Sequence, residues 1–341
     1  MMIDKSKIEA FRALIAEPKN IVIVSHTNPD GDAIGSSLAM AGALKAQGHE
    51  VTCVVPNRFP YYLEWIPRSK DIIIYRFDNE HRTEQALACA DIIICADMSA
   101  LSRLENLSAV IASNRTAKRV LVDHHLNPED GFDVVFSYPE SSSASFVVYN
   151  MLVGLFGQEA ITEEVATQLY VGMMTDTGNF AFSSLTPELF RAVADLSATG
   201  IDIPTIYNNV YNSYTEGRAR LFGYTINRKM KTLLKGTVAY MSLTEDEMRR
   251  YWFQQGDSEG FVNYPLSIKK MRMSAMFSEQ HDFIRVSLRS RGEVDVNEFA
   301  RRYFNGGGHK NAAGGKSFVS MEETIRHYIA SVEEYHAEGL V

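Results

Sequence analysis

The feature that most constrains the fold is a series of short, uniformly apolar runs in the first half of the chain. They are Ile21-Val22-Ile23-Val24, Val51 to Val55, Asp71-Ile72-Ile73-Ile74-Tyr75, Asp91-Ile92-Ile93-Ile94-Cys95 and Arg119-Val120-Leu121-Val122. Each is short enough for a strand and too apolar for one face to meet water. Helical patterns separate several of them, such as the Ala- and Leu-rich stretch Ala33 to Gln47 closed by Gly48. Buried strands alternating with helices imply a parallel sheet covered on both faces. The fold class expected is therefore α/β.

The second half reads differently. Helices are expected at 145–156, 163–174, 187–199 and 203–211, with Ser141 to Ser145 supplying N-cap candidates. A further helix is expected from Thr215 to Leu234, then strands at 237–243, 272–277 and 283–288, interleaved with helices at 244–251, 296–303 and 321–335. The glycine-rich stretch around Gly307 reads as a loop. A length of 341 residues favours two domains. The expected division is 1–200, a helical linker 201–230, and a smaller mixed α/β domain 231–341.

Composition narrows the setting. Met1 to Asn20 reads as an amphipathic helix, without the apolar core of a secretory signal. No apolar run approaches the ~20 residues of a membrane span. Cys53, Cys89 and Cys95 are odd in number and lie in or beside apolar stretches, as expected of buried free thiols in a reducing cytoplasm. Tyr61, Tyr62 and Trp65, and Met271, Met273 and Met276, are expected in cores. The formal net charge of −8 argues against a general nucleic-acid coat. Residues 266–316 nevertheless hold ten Lys/Arg against five Asp/Glu, a local excess suited to a small anion or one end of a nucleic acid.

Four stretches put metal-binding residue types at or near the ends of apolar segments. They are His26-x-x-x-Asp30-x-Asp32, Asp97, Asp123-His124-His125, and Asp176 in Thr175-Asp176-Thr177-Gly178. Singly each has an ordinary explanation. Pro-Asp-Gly is a common turn, Asp97 or Asp176 could cap a helix, and a histidine after a strand is usually hydrogen-bonded. Jointly they differ, because parallel strands share one carboxyl edge where such residues converge. Clustered carboxylates repel one another, and divalent cations remove that repulsion. A carboxylate and imidazole set without thiolate fits Mn²⁺, and admits Co²⁺, Zn²⁺ or Mg²⁺. Four Asp and two His exceed what one open catalytic ion needs and suit a pair about 3.5–4 Å apart.

The second informative stretch is Asn305-Gly306-Gly307-Gly308-His309-Lys310-Asn311-Ala312-Ala313-Gly314-Gly315. Consecutive glycines permit close backbone approach and an anion-binding nest of N–H groups. His309 and Lys310 stand beside it, and Arg289 and Arg291 lie upstream. The Walker spacing is absent.

These residues resemble a known family. His26 to Ser36, Asp97, Asp123-His124-His125 and Thr175 to Gly178 look like the four motifs of the DHH phosphoesterases, and Gly306-Gly307-Gly308-His309-x-x-Ala312-Ala313-Gly314 resembles the signature of their DHHA1 domain. The resemblance covers nearly the whole chain and looks most like the NrnA-type bifunctional oligoribonucleases and 3′-phosphoadenosine-5′-phosphate (pAp) phosphatases. It implies a two-metal, Mn²⁺-dependent hydrolase, with Mg²⁺ or Co²⁺ as substitutes, that releases mononucleotides from very short RNA and AMP from pAp. It implies His26 and Asp30 on one ion, Asp32, His124 and Asp176 on the other, and Asp97 bridging both. His125 would face the scissile phosphate, with Asp123 supporting the histidine pair. Arg289, His309 and the loop Gly306, Gly307 and Gly308 would grip the nucleotide end. A homodimer is compatible with the sequence. The rival readings are a phosphodiesterase for linear or cyclic dinucleotides and a non-catalytic nucleotide-binding protein. Inorganic pyrophosphatases share the first four motifs but lack the Gly306 to Gly314 element.

Overall fold

The computed structural model describes residues 3–182 and 185–341. The chain divides into two compact units, one ending at Ser213 and the other spanning Tyr214–Val341.

The first unit runs α1 (Lys5–Leu14), β1 (Asn20–Ser25), α2 (Gly31–Ala46), β2 (Glu50–Val55), β3 (Ile73–Ile74), α3 (Arg82–Ala88), β4 (Ile92–Ala96), α4 (Leu107–Ser113), β5 (Lys118–Asp123), β6 (Val134–Ser137), α5 (Ala144–Phe156), α6 (Glu163–Asp176), α7 (Pro187–Ala198) and α8 (Ile203–Tyr211). Six strands form one sheet in the order β3-β2-β1-β4-β5-β6, and every pairing is parallel. Alternate residues of β1 feed opposite cores. Ile21 and Ile23 pack with α2, α5 and α6, while Val22 and Val24 pack with α3 and α4. This explains why the runs carry no polar alternation. The strand order reverses at β1, so the carboxyl ends of β1 and β4 flank the switch point where α/β sheets bind ligands.

Two details depart from the sequence reading. The run 71–75 contributes only Ile73 and Ile74 to the sheet, because Ser69–Asp71 and Tyr75–Phe77 form 3₁₀ turns on either side. Val134–Ser137 adds an edge strand that the sequence reading omits.

The second unit runs α9 (Glu216–Tyr224), β7 (Lys231–Leu233), β8 (Val238–Leu243), α10 (Glu245–Arg250), β9 (Met273–Glu279), β10 (Ile284–Ser290), α11 (Val296–Tyr303), β11 (Gly307–His309), β12 (Ala312–Ser317) and α12 (Met321–Ala337). The expected helix 215–234 is shorter. A π turn over Thr225–Lys229 ends it, Met230 is extended, and β7 pairs antiparallel with β8. The mixed sheet is ordered β11-β12-β10-β9-β8-β7, with β8 and β9 parallel. One face buries Phe277, Val286 and Leu288 against Phe299, Phe304, Tyr328 and Val332. Met271, Met273 and Met276 are buried. The stretch 201–230, expected as a linker, is shared out: Ile206 and Val210 of α8 pack in the first unit's core, and Leu221 of α9 in the second's.

Candidate metal centre

The first unit brings His26, Asp30, Asp32, Asp97, Asp123, His124, His125 and Asp176 into one cluster. His26 follows β1, Asp97 follows β4, and Asp123 ends β5. Asp30 and Asp32 come from the start of α2 and Asp176 from the end of α6. Three groups of ligand atoms each lie within 4.8 Å: His26–Asp30–Asp97, Asp32–Asp97–His124, and Asp97–Asp123–His125. Asp97 belongs to all three.

Asp97 is 2% exposed and adopts φ 56°, a left-handed conformation rare outside glycine and found where surrounding structure compels it. Its N–H donates to Val122 O at 2.9 Å, pinning the turn to β5. The carboxylate then meets three imidazoles. Oδ2 lies 3.5 Å from His26 Nε2, and Oδ1 lies 3.4 Å from His124 Nε2 and 3.7 Å from His125 Nδ1.

The adjacent histidines have different tethers. His124 Nδ1 faces Ser141 O at 3.3 Å, which aims Nε2 at Asp97, Asp32 (3.8 Å) and Asp176 (3.4 Å). His125 Nδ1 lies 2.7 Å from Asp123 Oδ1. Asp123 is fully buried, and its Oδ2 has no hydrogen-bond partner among the described residues. Such backing bonds set the imidazole tautomer.

Asp32 is held from behind. Its Oδ2 accepts from Ala144 N at 2.6 Å and its Oδ1 from Ser145 N at 2.8 Å, at the start of α5, where Ser143 Oγ caps Phe146 N. Asp30 Oδ1 caps α2 by accepting from Asp32 N and Ala33 N at 3.0 and 3.1 Å. The sequence reading marked the serines as caps. No local signal ties that helix end to a carboxylate more than a hundred residues earlier.

The electrostatics test whether the residues fit cations. Burial, then Asp97 and Asp176, raise the Asp32 carboxyl well above its ordinary value. Burial raises Asp176 to about 6, partly opposed by His124. Burial alone would raise Asp97, yet hydrogen bonds from His124 and His26 hold it well below the usual range. His124 is raised well above its own ordinary value because Asp176 and Asp97 outweigh its burial. Without added positive charge the cluster relies on imidazolium and protonated carboxyls. A divalent cation supplies that charge while leaving oxygen and nitrogen donors deprotonated. The donor set of His26, Asp30, Asp32, Asp97, His124 and Asp176 fits a metal centre.

In the second unit, Arg289 on β10 is level with Ala312 on β12, and Ala312 with His309 on β11. Cross-strand partners share a sheet face, so Arg289 and His309 flank one row. The glycines are not the loop expected. Gly307 and Gly308 form β11, paired with Gly314 and Ala313. A Cβ on Gly306 would lie 1.9 Å from Gly314 O, and one on Gly308 2.5 Å from Ala312 O. Their N–H groups are engaged: Gly306 donates to Ala300 O, and Gly308 to Asn297 Oδ1 at 2.9 Å. An anion nest built on those two is therefore corrected to a tightly packed hairpin. Lys310 pairs with Glu293. Cys53 and Cys95 are buried as expected, whereas Cys89 at the end of α3 is exposed.

Comparison with known proteins follows the same division. Residues 20–173 match the DHH family, N-terminal domain, and residues 235–337 match the DHHA1 domain. The bifunctional oligoribonuclease and PAP phosphatase NrnA of Thermus thermophilus is 30% identical over 316 residues, covering 92% of this chain and 89% of that protein. Its namesake from Bacillus subtilis is 26% identical, covering 90% and 91%. The crystal structure of an exopolyphosphatase-related protein from Bacteroides fragilis superposes with TM-score 0.91 at 40% identity, covering 98% and 97%. The chain belongs to the DHH phosphoesterase family and carries its DHHA1 domain.

Proposed function

We propose that the protein is a Mn²⁺-dependent hydrolase that cuts very short RNA to mononucleotides and converts pAp to AMP. The observation that carries the reading is the Asp97 carboxylate, buried and shared among His26, His124 and His125. The names of the Thermus and Bacillus relatives supply the substrate class.

His26 and Asp30 would hold one ion and Asp32, His124 and Asp176 the other, with Asp97 between them. Bound there, two divalent ions supply the charge that makes water nucleophilic at neutral pH and neutralises a phosphate under attack. The protein's part is placement. The α5 N–H groups hold Asp32 in one orientation, and Ser141 O does the same for His124. Asp123 holds His125 through Nδ1, and His125 would contact a phosphate oxygen. In the second unit, Arg289 and His309 would contact the nucleotide end, on a glycine hairpin whose bare surface allows close approach. The three free cysteines suit action in the cytoplasm.

The direct test incubates purified protein and Mn²⁺ with labelled RNA of two to five nucleotides, and separately with pAp. Mononucleotides and AMP are the expected products, with Mg²⁺ and Co²⁺ compared. Asp97→Ala is expected to abolish both activities. Full activity in that variant, or none in the wild type, would sink the reading.

A further inference from the structure

We propose that Arg103 is a phosphate-binding residue, whose guanidinium takes an anionic substrate oxygen beside the His26–Asp30 side of the centre. The proposal rests on reading that centre as a metal-dependent phosphoesterase site.

Arg103 lies in a 3₁₀ turn, Leu101–Leu104, a few residues beyond Asp97. Its carbonyl accepts from Thr27 N at 2.9 Å, so its backbone is fastened to the turn that follows His26. The same turn is held from another side. Asn28 N donates to Asn57 Oδ1 at 2.7 Å, and Asn57 Nδ2 returns a bond to Asn28 Oδ1 at 2.8 Å. Asn28 is itself left-handed, with φ 57°. Arg103 is thereby mounted on a braced rim at the carboxyl edge of the sheet.

Its surroundings do not satisfy it. Arg103 is half-buried, yet among the described residues its guanidinium has no carboxylate within 4.0 Å and no hydrogen-bond acceptor. Two other partly buried cations are provided for: Lys229 pairs with Glu247 at 2.7 Å, and Arg218 stacks 3.4 Å over Tyr214. The bond from Thr27 N also sets the Arg103 backbone one residue away from His26. An arginine in that place works against cation binding, a cost of like charge at short range. An anion arriving between the guanidinium and the cations turns that repulsion into two attractions. A guanidinium fork suits phosphate, offering two parallel N–H donors.

The experiment measures binding of 5′-AMP to the Mn²⁺-loaded full chain by calorimetry, for wild type, Arg103→Ala and Arg103→Lys. Separate Mn²⁺ titrations and thermal unfolding accompany each variant. Loss of one charge-assisted fork should weaken AMP about 10- to 100-fold in the alanine variant, with lysine recovering part of it. Mn²⁺ affinity should stay the same or rise, since a nearby positive charge has gone. Unchanged AMP affinity in Arg103→Ala, or no AMP binding by the wild type, overturns the proposal. So does loss of Mn²⁺ binding in both variants, which would make Arg103 a brace for the Thr27 turn. A wild type that binds AMP but releases nothing from RNA or pAp would defeat the functional reading alone, because the binding comparison still decides the role of Arg103.

Discussion

On the proposed reading, Asp123 and His125 would matter without holding a metal. Asp123 is fully buried and lies 2.7 Å from His125 Nδ1. Replacing it with Asn keeps the shape and an acceptor but removes the charge that fixes the ring. We expect Asp123→Asn to lower kcat about 10–100-fold, the usual cost of a lost backing partner, with two Mn²⁺ still bound. His125→Ala should behave likewise, with a larger fall in kcat because the proposed phosphate contact would be lost. Calorimetric Mn²⁺ titration beside steady-state kinetics checks both, and an emptied metal position in either variant would make that residue a ligand. The identity of the clustered residues was legible, because carboxylates and imidazoles at strand ends of a parallel sheet have one edge to share. Their division of labour was not legible from the residues alone and came from the family resemblance. His124 and His125 are neighbours in sequence, and what separates them is Ser141 O behind one and Asp123 behind the other. Nor does sequence reveal that Asp97 must be left-handed, since that follows from its bond to Val122 on the next strand.

At the scale of elements, the distance between α2 and α6 governs the centre, because Asp32 rides on one and Asp176 on the other. The two helices meet backbone to backbone. A Cβ on Gly35 would lie 2.4 Å from Gln168 O, and one on Gly172 would lie 1.9 Å from Ser145 Oγ and 2.7 Å from Asp32 Oδ1. Gly35→Ala must therefore push α2 away from a backbone that cannot yield locally. Overpacking of this kind costs about 1–3 kcal/mol. We expect a urea midpoint lowered accordingly and a larger proportional loss in Mn²⁺ affinity. Ordinary Mn²⁺ binding in a destabilised Gly35→Ala protein would show that the helix spacing is unimportant to the site. The apolar strands of the first sheet were legible because burial on both faces leaves an unmistakable run. The glycine strands β11 and β12 were not. Glycine has poor strand propensity and ordinarily marks loops, and here it is required because Gly314 O and Ala312 O come too close for any side chain. The short helix before β7 escaped for a related reason: Lys231–Leu233 is mostly exposed and takes its strand conformation from pairing with Val238–Tyr240.

For the whole molecule, the consequence is that stability should respond to metal unevenly. The cluster of buried and partly buried acids belongs to the first unit, whereas the second has separate cores built on Phe277, Phe299 and Tyr328 and on Leu221 and Phe261. Removing cations leaves Asp32, Asp97 and Asp176 to repel one another inside the first unit, with Asp32 and Asp176 driven to hold protons. A ligand at 100 times its Kd contributes about 2.7 kcal/mol, and in a domain of about 200 residues that corresponds to roughly 5–10 °C in Tm. Scanning calorimetry should therefore show EDTA lowering one transition by that amount and leaving the other in place, with Mn²⁺ restoring it. In Asp97→Ala the same transition should lie low from the start and ignore EDTA, which assigns it to the unit that holds the centre. Equal displacement of both transitions would mean that the two cores melt together. Insensitivity of both would mean that cations do not bind the folded cluster, and the metal-dependent chemistry would fall with it.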